Sequence, residues 1–233
     1  MKIIIANWKM QLNARESIAL TRQIVAGITP NAELVLCPSF TVIAPVQELL
    51  IGSSIKVGGQ DVFWETHGAY TGEISAKQLR ELGCSYVIVG HSERRRDLHE
   101  SDATINKKLI SSLSGKLTPI LCVGESYRTQ LKGALKDLHL RHQEKIIIAF
   151  EPEWAIGKKV AKLDVVERAH REIRKLTSSL LVGLKPKQLR VIYGGGLDAK
   201  SASAFIGNQE VDGLLVGGAS LTWSSFKRIL QAV

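Results

Sequence analysis

The apolar residues of this chain fall into eight short, mostly continuous runs, and longer segments with helical spacing of apolar residues separate them. Strands that are covered on both faces have such continuous runs, and parallel sheets are built from strands of this kind. The pattern therefore predicts eight buried strands. They lie at residues 3–6, 34–37, 55–58, 86–89, 119–122, 146–150, 190–193 and 213–216.

The segments between the runs predict helices. Ile105, Leu109 and Leu113 are each four residues apart, so they lie on one face of a helix. Ser101 is the candidate N-cap of this helix, and Asp164 is the candidate N-cap of a later one.

Strand and helix alternate eight times within 233 residues. This alternation favours a single α/β domain over residues 1–233, folded as a closed (β/α)8 barrel. A doubly wound open sheet is the competing fold. It usually has a glycine-rich turn after its first strand, where this chain has Asn7, Trp8 and Lys9.

The composition is that of a globular protein, with 45% apolar and 23% charged residues. No apolar stretch is long enough to span a membrane, and the N-terminal run is too short for a secretion signal. Cys37, Cys84 and Cys122 are too widely spaced to indicate a disulfide framework or a zinc site. We therefore expect a protein of the reducing cytoplasm.

The formal net charge of +9 is compatible with nucleic acid, an anionic surface or an anionic substrate. The basic residues are dispersed, and the densest run is only Arg94, Arg95 and Arg96. No nucleic-acid-binding motif accompanies them, so we expect no nucleic-acid partner. Binding of an anionic surface by the basic face stays open as a non-catalytic role.

The connection between the third and fourth runs, residues 60–73, is long, aromatic and rich in glycine. Long loops of compact domains usually carry a function or make contacts. Exposed Trp64 and Tyr70 favour contact with a partner surface, and a loop folded back on its own barrel is the alternative.

Candidate chemistry lies at the strand ends, where the active sites of such barrels are found. The first run leads into Asn7 and Lys9, the fourth into His91, and the sixth into Glu151. Pro152 and an apolar segment follow Glu151 at once, and an apolar cover would make this carboxylate a better base.

Glycine turns follow the last two strands, at residues 194–196 and at Gly217 and Gly218. Glycine lets the backbone approach a ligand closely, and phosphate sites of barrels often lie after these strands. Their backbone N–H groups, opposite Lys9, predict a phosphorylated small-molecule substrate.

These groups suggest proton abstraction next to a carbonyl. Glu151 would remove the proton, and His91 and Lys9 would stabilise the oxygens of the resulting enediolate. A helix starting at Ser92 would favour the neutral form of the His91 ring. The sequence has no metal-ligand cluster, nucleophile elbow or cofactor fingerprint, so we expect neither metal nor cofactor.

The chain resembles the triosephosphate isomerases over essentially its full length. The motifs that carry the resemblance are residues 6–9 (Ala-Asn-Trp-Lys), 70–75 (Tyr-Thr-Gly-Glu-Ile-Ser), 89–95 (Val-Gly-His-Ser-Glu-Arg-Arg), 122–125 (Cys-Val-Gly-Glu), 151–152 (Glu-Pro), 154–157 (Trp-Ala-Ile-Gly), 193–195 (Tyr-Gly-Gly) and 215–221 (Leu-Val-Gly-Gly-Ala-Ser-Leu). The resemblance implies the TIM barrel fold and interconversion of dihydroxyacetone phosphate and D-glyceraldehyde 3-phosphate, in glycolysis and gluconeogenesis.

It also implies roles for individual residues. Glu151 would be the base, His91 the electrophile and proton shuttle, and Lys9 the counter-charge to phosphate and enediolate. Asn7 would contact a substrate oxygen, and Glu93 would support the site from behind. The residues whose N–H groups would bind phosphate are Gly157, Gly196, Gly217 and Gly218.

The family is typically dimeric, and its long third loop reaches into the partner subunit. The resemblance therefore implies a homodimer, in which Thr71 would support Asn7 or Lys9 across the interface.

The resemblance also implies an active-site lid at residues 154–157, with a hinge on either side, and the chain departs from the family pattern in these hinges and in the phosphate turn. Lys158 and Lys159 follow Gly157 where the family has a longer segment with a second glycine, which alters the C-terminal hinge. Glu153 replaces a small apolar residue of the N-terminal hinge, and Gly196 replaces a serine. We expect altered lid kinetics and phosphate affinity with the same reaction class.

A different barrel enzyme that acts on a related phosphosugar, an epimerase or an aldolase, is the alternative because one fold hosts many reactions. An aldolase needs a Schiff-base lysine inside the barrel, and Lys9 is the candidate at a strand end.

Overall fold

The computed structural model describes residues 1–27, 31–141, 144–156, 160–181, 184 and 186–233. The strands in this part of the chain are β1 (Ile3–Asn7), β2 (Glu33–Cys37), β3 (Lys56–Gly59), β4 (Tyr86–Val89), β5 (Thr118–Val123), β6 (Ile147–Phe150), β7 (Arg190–Gly194) and β8 (Gly213–Val216). Each of the eight predicted runs matches one strand to within one residue at either end.

Helices follow the strands. Those among the described residues are α1 (Ala14–Gly27), α2 (Ile43–Leu49), α3 (Ala76–Glu81), α4 (Ser92–Asp97), α5 (Asp102–Ser114), α6 (Tyr127–Ala134), α7 (Leu163–Leu180), α8 (Ala199–Gly207) and α9 (Trp223–Gln231).

The eight strands form one closed parallel barrel in sequence order. The barrel closes between the first and last strands, where Ile3 pairs with Glu33 of β2 on one side and with Gly213 of β8 on the other. The expected (β/α)8 barrel is confirmed, and the open sheet is excluded.

Both faces of the strands are buried. Ile3 and Ile5 belong to a cluster inside the barrel, whereas Ile4 and Ala6 belong to the larger cluster between barrel and helices. Alternate residues of one strand therefore enter different cores, which explains why the apolar runs are continuous rather than alternating.

One of the two predicted helix caps is correct. The Ser101 hydroxyl accepts a hydrogen bond from the N–H of Thr104 at 3.1 Å, at the start of α5. The prediction for Asp164 is wrong, because α7 begins at Leu163 and Lys162 occupies the N-cap position. The helix dipole also favours a carboxylate within the first turn, which is where Asp164 lies. An aspartate near the start of a helix therefore does not show which residue is the N-cap.

The long connection after β3 has two parts. Asp61, Val62 and Phe63 are buried against the barrel, so this first part folds on its own chain. Residues 65–73 are exposed. The Phe63 ring joins the two parts, with its centroid 4.0 Å from that of Trp64 and 4.8 Å from that of Tyr70.

None of the helices in the described ranges has the length and apolar character needed to cross a membrane.

Candidate active site

A cavity of about 370 Å³ opens at the carboxyl ends of the strands. Its lining includes nine of the residues that the sequence singled out, namely Asn7, Lys9, His91, Glu151, Gly194, Gly195, Gly196, Gly217 and Gly218. They come from β1, β4, β6, β7 and β8 or the residues that follow them, so closure of the barrel brings together groups far apart in sequence.

Glu151 directly follows β6, and its backbone N–H donates to the Val123 carbonyl at 2.7 Å. The residue is only 3% exposed. Its Oε1 lies 3.3 Å from Nε2 of His91, and its Oε2 is buried without a hydrogen-bond partner among the described groups. A Cβ on Gly194 would lie 2.8 Å from Cγ of Glu151, so glycine is needed beside this carboxylate.

His91 lies between β4 and α4 and is the N-cap residue of that helix. Its Nδ1 accepts a hydrogen bond from the N–H of Glu93 at 3.2 Å. A nitrogen that accepts from an N–H carries no proton itself, so this bond assigns the ring proton to Nε2. The proton-bearing side of the imidazole then faces Glu151.

Lys9 has an unusual backbone, with φ at 52°. This left-handed conformation costs about 1 kcal/mol for a residue with a side chain. The side chain of Asn7 accepts from the Lys9 N–H at 3.1 Å, and Nζ of Lys9 lies 2.6 Å from Oε1 of Glu93. The other oxygen of Glu93 is 3.5 Å from Nδ1 of His91, so Glu93 lies behind both groups.

Gln60 supports the site from outside the cavity, and the sequence did not predict this role. Its Nε2 donates to two backbone carbonyls, those of Lys9 at 2.8 Å and Cys37 at 2.9 Å. The available signal was its position, since Gln60 directly follows β3 and so lies at the same barrel end as the other candidates.

Tyr193 was also missed, although it lies in one of the motifs. Its hydroxyl accepts a hydrogen bond from the N–H of Ala161 at 3.3 Å, and its ring stacks on Phe205 at 4.3 Å. Tyr193 thus joins the end of β7 to the segment that follows the lid.

The N-terminal part of the lid is also hydrogen-bonded to the turn that follows β7. The N–H of Gly196, expected to face phosphate, donates instead to the Ala155 carbonyl at 2.8 Å. Gly157, Lys158 and Lys159 lie outside the described residues, so the expectations for the phosphate donor and for the altered hinge stay predictions.

The glycine turn after β8 lies beside Lys9. A Cβ on Gly217 would be 3.5 Å from Cε and 3.8 Å from Nζ of Lys9. The lysine ammonium and Gly217 therefore lie next to each other at the cavity wall, and Gly218 lines the same cavity. That arrangement suits a bound anion.

The remaining candidates lie outside the cavity. Thr71 is exposed in the single chain, on the loop that follows β3. Glu153 is also exposed, at the start of the lid. Glu93 does not line the cavity and contacts it only through Lys9 and His91.

Cys122 is the buried thiol next to the carboxylate. Burial raises the pKa of Cys122 well above its usual range, and the charge of Glu151 and a hydrogen bond with it raise that pKa further. Cys122 therefore remains a neutral thiol. Among the residues described, His, Cys, Asp and Glu form no group of three that could hold a metal ion.

Comparison with known proteins agrees with this geometry. A family model described as triosephosphate isomerase matches residues 2–233. The chain is 41% identical to the triosephosphate isomerase of Moorella thermoacetica, over 98% of this chain and 97% of the relative. It is 38% identical to that of Endomicrobium trichonymphae, with the same two shares. It is 39% identical to that of a Thermoanaerobacter species, over 98% of each chain.

Proposed function

The chain belongs to the triosephosphate isomerase family, and we propose that Glu151, His91 and Lys9 perform the reaction in the cavity described above. The protein interconverts dihydroxyacetone phosphate and D-glyceraldehyde 3-phosphate through an enediolate, a reaction of glycolysis. The observation that carries the assignment of residues is the 3.3 Å approach of Glu151 Oε1 to His91 Nε2 at the wall of this cavity.

Glu151 is the base. Its carboxylate takes the proton from the carbon between the hydroxyl and carbonyl groups, and the carbonyl oxygen becomes an enediolate oxygen. The same carboxylate returns the proton to the neighbouring carbon. Its place in the wall of the cavity, with Oε1 3.3 Å from Nε2 of His91, supports this role, because a general base has to lie within reach of the proton that it removes.

His91 is the electrophile. Its Nε2 proton hydrogen-bonds the oxygen on which negative charge develops, and the ring moves a proton between the two substrate oxygens. The bond from the Glu93 N–H to Nδ1 supports this role, since it orients the ring with Nε2 toward Glu151.

Lys9 supplies positive charge to the phosphate and the enediolate, and Asn7 contacts a substrate oxygen. Gly217 and Gly218 offer N–H groups to the phosphate beside Lys9. Gly196 can join them once its bond to Ala155 exchanges for one to phosphate. Gly157 is proposed as a further donor on the resemblance alone.

The protein acts as a homodimer in the cytoplasm, with residues 1–233 as one catalytic domain. Exposure of Tyr70 and Thr71 on the loop after β3 supports the dimer, because this aromatic loop is available to a second copy. Three buried free cysteines agree with a reducing compartment. Sedimentation at twice the chain mass is expected, and a monomer at micromolar concentration with full activity would contradict the dimer.

The test of the mechanism is isomerisation in deuterium oxide. Starting from dihydroxyacetone phosphate, the purified protein should form D-glyceraldehyde 3-phosphate with deuterium on the carbon that receives the proton. Borohydride in the presence of substrate should trap nothing on Lys9. A trapped adduct on Lys9 together with slow isomerisation would favour the aldolase alternative.

A further inference from the structure

The left-handed backbone of Lys9 has to be held in place by its surroundings. With φ at 52°, Lys9 occupies a region that residues with a side chain rarely adopt. The direction of its side chain depends on that backbone. A relaxed φ would rotate Nζ away from its place beside Gly217 and Glu93.

Gln60 restrains the Lys9 backbone by binding its carbonyl oxygen. Its Nε2 donates to Lys9 O at 2.8 Å and to Cys37 O at 2.9 Å. The Cys37 carbonyl also accepts the N–H of Trp8 at 3.1 Å, so it belongs to the β1–β2 ladder. One amide group therefore ties the Lys9 peptide to a rigid part of the barrel.

Gln60 is itself firmly anchored through its neighbour in sequence. Asp61 is 6% exposed and binds Nζ of Lys108 through both carboxylate oxygens, at 2.8 and 2.7 Å. Arg94 also reaches Asp61, at 2.9 Å. Lys9 is thus supported by Gln60 at its carbonyl and by Glu93 at its ammonium. The ion pair between Asp61 and Arg94 links the two supports, because each of these residues is next in sequence to one of them.

We propose that Gln60 is a positioning residue for the isomerisation. It holds the Lys9 peptide in its left-handed conformation and thereby directs the ammonium toward the phosphate side of the cavity. The inference rests on the proposed role of Lys9. Gln60 itself does not line the cavity.

The experiment compares Gln60→Met and Lys9→Met, alone and combined, by steady-state kinetics and by competitive inhibition with inorganic phosphate. Methionine keeps the length and volume of glutamine and removes both donors. We expect Gln60→Met to raise KM and the inhibition constant for phosphate roughly tenfold each. In the Lys9→Met background the same change should alter the inhibition constant less than about twofold, because the lysine it positions is gone.

Asn106→Leu is the matched control. Asn106 also has a side-chain amide that donates to two backbone carbonyls, those of Ala134 at 2.8 Å and Lys136 at 2.9 Å, but it lies on α5 and binds the C-terminal end of α6. It should lower thermal stability to a similar degree and leave KM and phosphate inhibition unchanged.

The outcomes separate the two proposals. If Lys9→Met leaves phosphate inhibition unchanged, the role of Lys9 fails. If Lys9→Met weakens inhibition and Gln60→Met does not, or if Gln60→Met acts equally in both backgrounds, Gln60 is merely structural and the inference is overturned. Should Gln60→Met not fold, Gln60→Asn keeps the amide on a side chain that is one methylene shorter, and the same cycle is measured with it.

Discussion

The hydroxyl of Tyr193 accepts a hydrogen bond from the backbone N–H of Ala161 at 3.3 Å. On the other side of the lid, the N–H of Gly196 donates to the carbonyl of Ala155 at 2.8 Å. Both flanks of the lid are thus bound to the end of β7 and the turn that follows it. This strand end therefore holds Ala155 and Ala161 in place.

Tyr193→Phe removes one of these two bonds without changing the ring that stacks on Phe205. One hydrogen bond contributes about 1 kcal/mol net, so we expect kcat/KM to fall at least about fivefold. Tyr86→Phe is the control, since its hydroxyl binds Glu33 at the opposite end of the barrel. Equal activity losses in the two variants would show that the effect is a general loss of stability.

Glu151→Gln should abolish most of the activity. General base catalysis contributes about 10²- to 10⁴-fold, so kcat should fall by about 10²- to 10⁴-fold while KM changes little. Glu125→Gln is the control, because Glu125 is another carboxylate near a strand end, exposed and outside the cavity. A drop in kcat of less than about tenfold for Glu151→Gln would mean that another group takes the proton.

The barrel could be predicted from the sequence because each of its strands is marked by a pattern within a few consecutive residues. A strand buried on both faces needs a continuous apolar run, and each run stands beside polar or glycine-containing turns. The start of α7 could not be predicted as well. Asp164 suits the N-cap and the first turn alike, and the choice depends on how the segment after the lid enters the helix.

The meeting of Lys9, His91 and Glu151 in one cavity could also be predicted, because all three follow apolar runs and the barrel fixes which strand ends meet. Gln60 and the Gly196–Ala155 bond could not. Both depend on which side-chain or backbone donor meets a carbonyl distant in sequence, and the apolar pattern contains no information about that pairing.

Lys108 supports the fold from a buried position. It is 2% exposed and binds Asp61 and Glu100, the latter at 2.5 Å. Burial raises the pKa of the Asp61 carboxyl, although Lys108 and Arg94 oppose the rise, so desolvation outweighs pairing at this carboxylate. The cluster of Asp61, Glu100, Lys108 and Arg94 therefore needs its cations to offset the cost of burying the carboxylates.

Lys108→Met should destabilise the protein strongly, because it removes the buried ammonium from Asp61 and Glu100 and leaves only the partly exposed Arg94 to pair with the two carboxylates. Breaking a buried pair costs about 3–5 kcal/mol of unfolding free energy. Lys107→Met is the matched control on the same helix. Lys107 is exposed, with Nζ 5.6 Å from the centre of the Trp64 ring, and such a contact is worth no more than about 1 kcal/mol. Urea denaturation of both variants measures the difference, and similar losses would contradict the prediction.

His170 should make the protein sensitive to acid. It is fully buried on α7, where Nδ1 bonds to the Glu210 carbonyl at 3.0 Å and Nε2 has no hydrogen-bond partner among the described groups. Burial lowers the pKa of His170 from 6.5 to about 4. The unfolded chain therefore binds a proton at a higher pH than the folded protein does.

The direction of the pH dependence follows from this difference in the pKa of His170 between the unfolded and the folded state. Above pH 6.5 the ring is neutral in both states, so His170 adds no pH dependence to the unfolding free energy. As the pH falls from 6.5 toward 4, only the unfolded state takes up the proton, and stability decreases by about 3 kcal/mol. His170→Gln should lack this decrease, whereas His67→Gln, at an exposed position, should retain it. Urea denaturation at several pH values in this window tests the prediction, and parallel stability curves for wild type and His170→Gln would show that His170 does not cause the loss.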